Sequence, residues 1–264
     1  MVGTALCQSL KSHELITPKR YELNVGNINQ VMKFKADCII HTAAETDHEY
    51  CDENPSNCYF INTIGTANMT KLAKLLRIPI IYVSAGSVFD GAIEKPYTSD
   101  DQPNPVNHYN SSKFYGELIC GCYEKGYIIR AGWMFGGGPR VDKKFVNKII
   151  EKIKRGDKEI KVCDDCIGSP TYTKDFAQSI QLILEGNMER GIYHFSNSST
   201  GVSRYEFACE IIKLLKSGVK ILPCKIDDLK EEFPCKRTNY EVIKSDFISR
   251  DWKDCLKEYI HAKY

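Results

Sequence analysis

Short apolar runs alternate along this chain with stretches whose apolar residues recur every three or four positions. Cys38-Ile-Ile-His-Thr-Ala-Ala44 has the pattern of a brief buried strand ending in small residues. From Asn62 to Arg77 the spacing becomes helical, and Ile64, Ala67, Leu72, Leu75 and Leu76 are predicted to form its buried stripe. Ile78-Pro-Ile-Ile-Tyr-Val-Ser84 and Gly126-Tyr-Ile-Ile-Arg-Ala131 read as further strands. Asn110 to Tyr123, Phe145 to Arg155 and Thr173 to Glu185 read as helices. Buried-strand runs that alternate with helices predict an α/β fold, a parallel sheet covered by helices. Tyr205 to Leu215 and the charged Lys/Glu/Asp-rich segment after it predict a smaller helical lobe.

The first ten residues, Met1 to Leu10, form an amphipathic helical pattern with no strand ahead of it. In a dinucleotide-binding fold a central strand and a Gly-rich turn precede that helix, and the turn cradles a pyrophosphate. Only Gly3 is placed to belong to such a turn, as its last glycine. A central strand of four or five aliphatic side chains contributes roughly 6–15 kcal/mol, comparable with a domain's net stability. The chain is therefore expected to be incomplete at its start.

The 264 residues carry a formal charge of +2 and are 42% hydrophobic, which suits one large domain plus a small one. Near-neutral charge offers no footprint for nucleic acid, and no apolar run is long enough for a membrane span. No signal-peptide pattern is present, so the expected location is cytoplasmic. In that setting the Arg155-Gly-Asp157 triplet and the sequons at Asn68, Asn110 and Asn197 have no role. The twelve cysteines are scattered and expected to be reduced. Cys163-Asp-Asp-Cys166 is half a zinc-ribbon spacing without a second half, so no metal site is assigned.

Tyr109 and Lys113 lie one helical turn apart within Pro105-Val-Asn-His-Tyr-Asn-Ser-Ser-Lys-Phe-Tyr-Gly-Glu117, and so on one helix face. An ammonium beside a phenol lowers the phenol's pKa, which suits a proton donor to a carbonyl undergoing reduction. By itself Tyr-x-x-x-Lys is a weak signal.

Six segments in order strengthen it: Val83-Ser-Ala-Gly-Ser-Val-Phe-Asp-Gly91, Pro96-Tyr-Thr, Pro103 to Glu117, Arg130-x-x-Trp133, Asp164-Asp-x-x-Gly-Ser-Pro-Thr171 and Gly191-Ile-Tyr-His-Phe-Ser196. Together they resemble the dTDP-4-dehydrorhamnose reductase group of extended short-chain dehydrogenases, from residue 1 to about 260. The resemblance implies a Rossmann-type doubly wound parallel sheet, here with the first strand missing, and a smaller C-terminal substrate lobe. Residues 1–135 would bind NADPH (or NADH). Residues 136–264 would mainly hold the nucleotide sugar, with a segment near 170–195 returning to the first lobe. Tyr109 would protonate the C4 ketone oxygen, and Lys113 would hold the nicotinamide ribose and lower the Tyr109 pKa. Gly3, Ala43 and Ala44 would approach the cofactor, and Lys19 and Arg20 its adenosine ribose, favouring a 2′-phosphate. Trp133, Asp164, Asp165, Ser169, Thr171 and Arg237 would face the substrate.

The chain departs from the family at the strand tip. Ala85 occupies the position of a threonine whose hydroxyl contacts the substrate carbonyl, and Ser84 or Ser87 is the expected substitute. Ser84 belongs to the opposite face of the strand and would need a local backbone change. The implied activity is NAD(P)H-dependent reduction of a 4-keto-6-deoxy nucleotide sugar of the dTDP-4-dehydro-L-rhamnose type to a donor such as dTDP-L-rhamnose. An alternative is a non-catalytic paralogue resembling the regulatory subunit of methionine adenosyltransferase, which binds a partner protein. A third is a nucleotide-sugar epimerase or dehydratase. The resemblance leaves room for a homodimer.

Overall fold

The computed structural model describes residues 1–198 and 200–264; Ser199, third residue of the Asn197 sequon, lies outside the described residues. The chain runs from α1 (Val2–Ser9) through α2 (Ile28–Val31) to β1 (Ile39–His41). Helices α3 (His48–Glu53) and α4 (Pro55–Tyr59) lead through one π-helical turn, Phe60–Ile64, into α5 (Gly65–Leu76). Then come β2 (Ile80–Ala85), α6 (His108–Gly121), β3 (Gly126–Ala131), β4 (Trp133–Phe135), α7 (Phe145–Arg155), β5 (Glu159–Cys163), β6 (Ile167–Gly168) and β7 (Pro170–Tyr172). The rest comprises α8 (Thr173–Leu184), β8 (Ile192–Phe195), β9 (Val202–Ser203), α9 (Arg204–Leu215), β10 (Lys220–Cys224), β11 (Tyr240–Glu241) and α10 (Trp252–Lys263).

The main sheet has the order β1-β2-β3-β8, all parallel. Its strands divide their side chains by parity, as a sheet buried on both faces requires. Ile81, Val83, Ile129 and Ala131 meet α1 (Ala5, Leu6) and α8 (Phe176, Ile180) on one face. Ile80, Tyr82 and Ile128 meet Leu72 and Ala73 of α5 and Cys120 of α6 on the other. The result is a three-layer, doubly wound arrangement. Among the described residues no strand pairs with the outer edge of β1. Helix α1 is held instead against β2, β3 and α8.

Helix α5 buries only part of the stripe its spacing predicts: Leu72 is buried and Leu76 packs against the core. Ile64 and Leu75 are 46% and 64% exposed, while Thr66, Thr70, Leu72 and Ala73 are buried. Small residues let α5 sit close to the sheet, and Thr66 satisfies its own hydroxyl by donating to the Asn62 carbonyl at 2.5 Å.

The last third also differs from the helical lobe the pattern predicts. Strand β10 pairs in parallel with β5, and β11-β6-β9 form a small second sheet. These strands span only two to five residues, too few to show period-two alternation. A second core joins Phe135, Ile149, Ile160, Phe207, Trp252 and Tyr259 across β4, α7, β5, α9 and α10.

Candidate active site

Asn107 starts α6 by accepting a bond from the Asn110 N–H at 2.8 Å, while its amide donates to the Lys236 carbonyl at 2.8 Å. The helix start is thereby fixed to the 236–238 segment. A Cβ at Gly116 would collide with the Tyr82 hydroxyl, so glycine there lets α6 lie tight on β2. Tyr109 and Lys113 are both buried on this helix, at 8% and 4% exposure. The Lys113 Nζ donates to the Val83 carbonyl at 2.7 Å and sits 4.3 Å from the centre of the Tyr82 ring.

The electrostatics correct one expectation. The Tyr109 phenol is held above its ordinary pKa, not below it, by burial first and then by Cys51 and Glu241. Lys113 is pulled down to about 7, mainly by burial, with Glu117 opposing. The unfolded chain therefore holds the lysine proton more tightly, and from pH ~7 to ~10 this group favours folding increasingly as pH rises. Lys113→Met is expected to lose an upward slope of melting temperature between pH 7 and 9 that the parent shows; parallel profiles would refute the shift.

Ser84 does not substitute for the missing hydroxyl. It is buried and donates to Glu117 Oε1 at 2.5 Å, on the core side of β2. Ser87 donates to Asn110 Oδ1 at 2.8 Å. A hydroxyl has one proton to donate, so each is already committed. The Ala85 methyl packs against the group of Cys51, Cys58 and Tyr109. At this strand tip the cleft meets an apolar wall.

Several residues that spacing did not reveal complete the site. His48, at the start of α3, packs against Tyr109 with ring centres 4.4 Å apart and ring planes tilted by 41°, and contacts the Asn107 amide at 3.3 Å. Burial and the neighbouring Arg237, Lys144 and Arg204 push its pKa to about 3, so the ring is neutral. Three cations thus surround this side of the cleft. Arg204 stacks 3.4 Å from the centre of the Trp133 indole, and burial brings its pKa to about 10. Arg237 pairs with Glu49 at 2.5 Å.

The other expected substrate residues already have partners within the chain. Ser169 and Thr171 are fully buried, Ser169 accepting from the Ile243 N–H at 3.2 Å and Thr171 donating to the Ser169 carbonyl. Asp164 pairs with Lys225 at 2.7 Å, and Asp165 accepts from the Ile226 N–H at 3.0 Å. These four hold the small lobe together, because backbone and lysine partners already occupy their polar atoms. Cys163, Asp165 and Cys166 bring donor atoms within 4.8 Å of one another, yet the adjacent Arg204 charge opposes a bound cation.

On the cofactor side, Ala43 and Ala44 leave the C-terminal end of β1, the end at which open α/β sheets bind ligands. A Cβ at Gly3 would lie 3.8 Å from Thr42 Oγ1, so α1 begins beside this loop. Lys19 and Arg20 are exposed and enter no ion pair among the described residues. The small residues and free cations fit a dinucleotide at this edge.

The RmlD substrate binding domain family model matches residues 1–263. The chain belongs to this family. The RmlD-family chain is 30% identical over 275 residues to the spore coat polysaccharide biosynthesis protein SpsK of Bacillus subtilis, covering 99% of this chain and 94% of that protein. It superposes with TM-score 0.90 and 33% identity on a dTDP-4-dehydrorhamnose reductase of Clostridium acetobutylicum, over 99% of this chain and 95% of that one. A Bacillus anthracis dTDP-4-dehydrorhamnose reductase in complex with NADP gives TM-score 0.90 at 27% identity, over 100% and 96%. The family membership agrees with the Rossmann-type sheet and with the resemblance carried by the six motifs. No helix among the described residues is long and apolar enough to cross a membrane.

Proposed function

We propose that this RmlD-family chain reduces the C4 ketone of a 4-keto-6-deoxy nucleotide sugar with NADPH, converting a dTDP-4-dehydro-L-rhamnose type substrate to dTDP-L-rhamnose in the cytosol. One observation carries this reading: Tyr109 and Lys113 are buried together on α6, and Arg204, Arg237 and Lys144 gather around His48, whose ring lies 4.4 Å from that of Tyr109. A nucleotide diphosphate supplies the negative charge that such a group of cations attracts. The regulatory and epimerase or dehydratase readings are not favoured, because the full-length structural neighbours at 27–33% identity are reductases.

In this reading residues 1–135 hold the dinucleotide and 136–264 mainly the sugar, with 170–195 returning to the first lobe. Ala43, Ala44 and Gly3 admit the cofactor, Lys113 holds its ribose, and Lys19 and Arg20 meet a 2′-phosphate. When bound, NADPH supplies the hydride. Tyr109 retains its proton because its pKa is raised, and releases it to the C4 oxygen as negative charge develops there. Neutral His48 orients the phenol ring by packing against it, and the Ala85 wall excludes water without donating a bond. Arg237 meets the diphosphate, and Trp133 the sugar ring. The chain forms a homodimer through the exposed Phe60, Ile64, Tyr115 and Leu118, to be weighed by light scattering.

The test is spectrophotometric. NADPH absorbance is expected to fall when dTDP-4-dehydro-L-rhamnose is added, with dTDP-L-rhamnose as product. A protein that binds NADPH yet consumes none with any 4-keto nucleotide sugar refutes the reading.

A further inference from the structure

Glu241, half-buried on β11, is a carboxylate that the reduction step does not use. In the small sheet it stands opposite Gly168, with Gly168 opposite Val202 in turn. A Cβ at Gly168 would collide with the Trp133 indole, so the ring rests on that bare backbone. Arg204 covers the ring from another side at 3.4 Å. The parallel register thus places Glu241 at the edge of the stacked indole. After burial and Cys51, its charge contributes to raising the Tyr109 pKa, so the two groups lie within electrostatic reach of each other.

This wall holds polar atoms that the fold leaves unsatisfied. Among the described residues four buried side-chain polar atoms lack a hydrogen-bond partner, and three are Trp133 Nε1, Arg237 Nε and Thr238 Oγ1. Burial raises the Glu241 pKa, and Arg204, Arg237, the Trp133 indole and the Thr238 hydroxyl oppose that rise. The indole N–H and the Thr238 hydroxyl thus lie within reach of the carboxylate, although neither makes a hydrogen bond of good geometry to it. Thr238 is 6% exposed. A buried donor without a partner costs about 1–3 kcal/mol, and three on one wall point to a ligand that satisfies them. Arg204 and Arg237 already supply positive charge beside Glu241. A neutral partner with two hydroxyl donors suits it better than a cation.

We propose that Glu241, Thr238 and the Trp133 indole N–H form a hydroxyl-reading subsite that takes the C2–C3 diol of the sugar, making Glu241 the residue that selects ring hydroxylation. The carboxylate accepts from both hydroxyls, and the indole N–H and Thr238 hydroxyl donate to the oxygens. The inference rests on the nucleotide-sugar reading of the cleft. It also makes Glu241 a specificity residue, separate from Tyr109.

Calorimetric titration with dTDP-L-rhamnose, which carries the diol, and with its 2-deoxy counterpart tests this. The parent protein is expected to bind the diol ligand about 10–100-fold tighter, as one charge-assisted hydrogen bond implies. Glu241→Gln should reduce that ratio to roughly threefold or less, chiefly by weakening the diol ligand. Thr238→Val, a near-isosteric change, should lower the same ratio with an unchanged melting temperature. If Glu241 merely anchors Arg204, Glu241→Gln weakens both ligands equally, and the subsite is refuted. Equal binding of the two ligands by the parent, or binding of neither, also refutes it. Selective binding of the diol ligand without turnover of the 4-keto sugar would instead overturn the reductase reading and leave the subsite standing.

Discussion

Tyr109→Phe is expected to lower kcat by about 10²–10⁴-fold, the usual worth of a positioned general acid. The variant keeps the ring that lies 4.4 Å from His48 and packs with Cys51, Cys58 and Ala85. Fold and NADPH affinity should therefore be retained, and kcat should fall while KM moves little. The loss should be near the top of that range. Ser84 and Ser87 are committed to Glu117 and Asn110, so no strand-tip hydroxyl remains to assist. The converse variant, Ala85→Thr, restores a donor at the tip and is expected to raise kcat about tenfold, less than the ~10²–10³ of a fully preorganised donor. Stopped NADPH oxidation in Tyr109→Phe with unchanged cofactor binding supports the assignment. A loss below tenfold would place the proton donor elsewhere.

The second large effect concerns stability. Glu117 and Arg130 form an ion pair with both side chains 2% exposed, joined at 2.8 Å and reinforced by Arg130 Nε at 3.0 Å. Ser84 donates to the same carboxylate, and Arg130 also contacts His194 at 3.3 Å and lies over the Phe89 ring. Burial and the Arg130 charge push His194 to about 3, so it adds no competing cation. Glu117→Ala leaves Arg130 charged and alone between α6 and β3. Breaking such a pair from one side costs about 3–5 kcal/mol, which is about 10 °C in melting temperature for a domain of this size. Removing both charges, as Glu117→Leu with Arg130→Met, should recover most of that loss. Calorimetric melts of the single and double variants decide it, and a single-variant loss under about 1 kcal/mol would show that water reaches Arg130.

Much of the fold was legible because adjacent side chains report their own element's geometry. The unbroken apolar run Ile80-Ile-Tyr-Val announced a strand buried on both faces, and the four-residue spacing placed Tyr109 and Lys113 together on one buried helix. Alternation also indicated that Ser84 turns away from Ala85, and the structure gives that turn a destination in Glu117. The reading of α5 was less successful. Hydrophobicity favoured Ile64 and Leu75, but close packing selected Thr66, Thr70 and Ala73, whose small size no hydropathy pattern rewards.

The sequence by itself determined the alternating α/β architecture, the Tyr109–Lys113 pair and the apolar strand tip at Ala85. Each follows from periodicity or from neighbours along the chain. Only the tertiary structure decided that Ser169, Thr171, Asp164 and Asp165 brace the small lobe. It also brought His48 against Tyr109, with Arg204 acting on His48 and Glu241 on Tyr109. These three come from α3, α9 and β11, segments brought together by the packing of the two cores. The same burial that assembles them raises the Tyr109 pKa, because desolvation disfavours the charged phenolate.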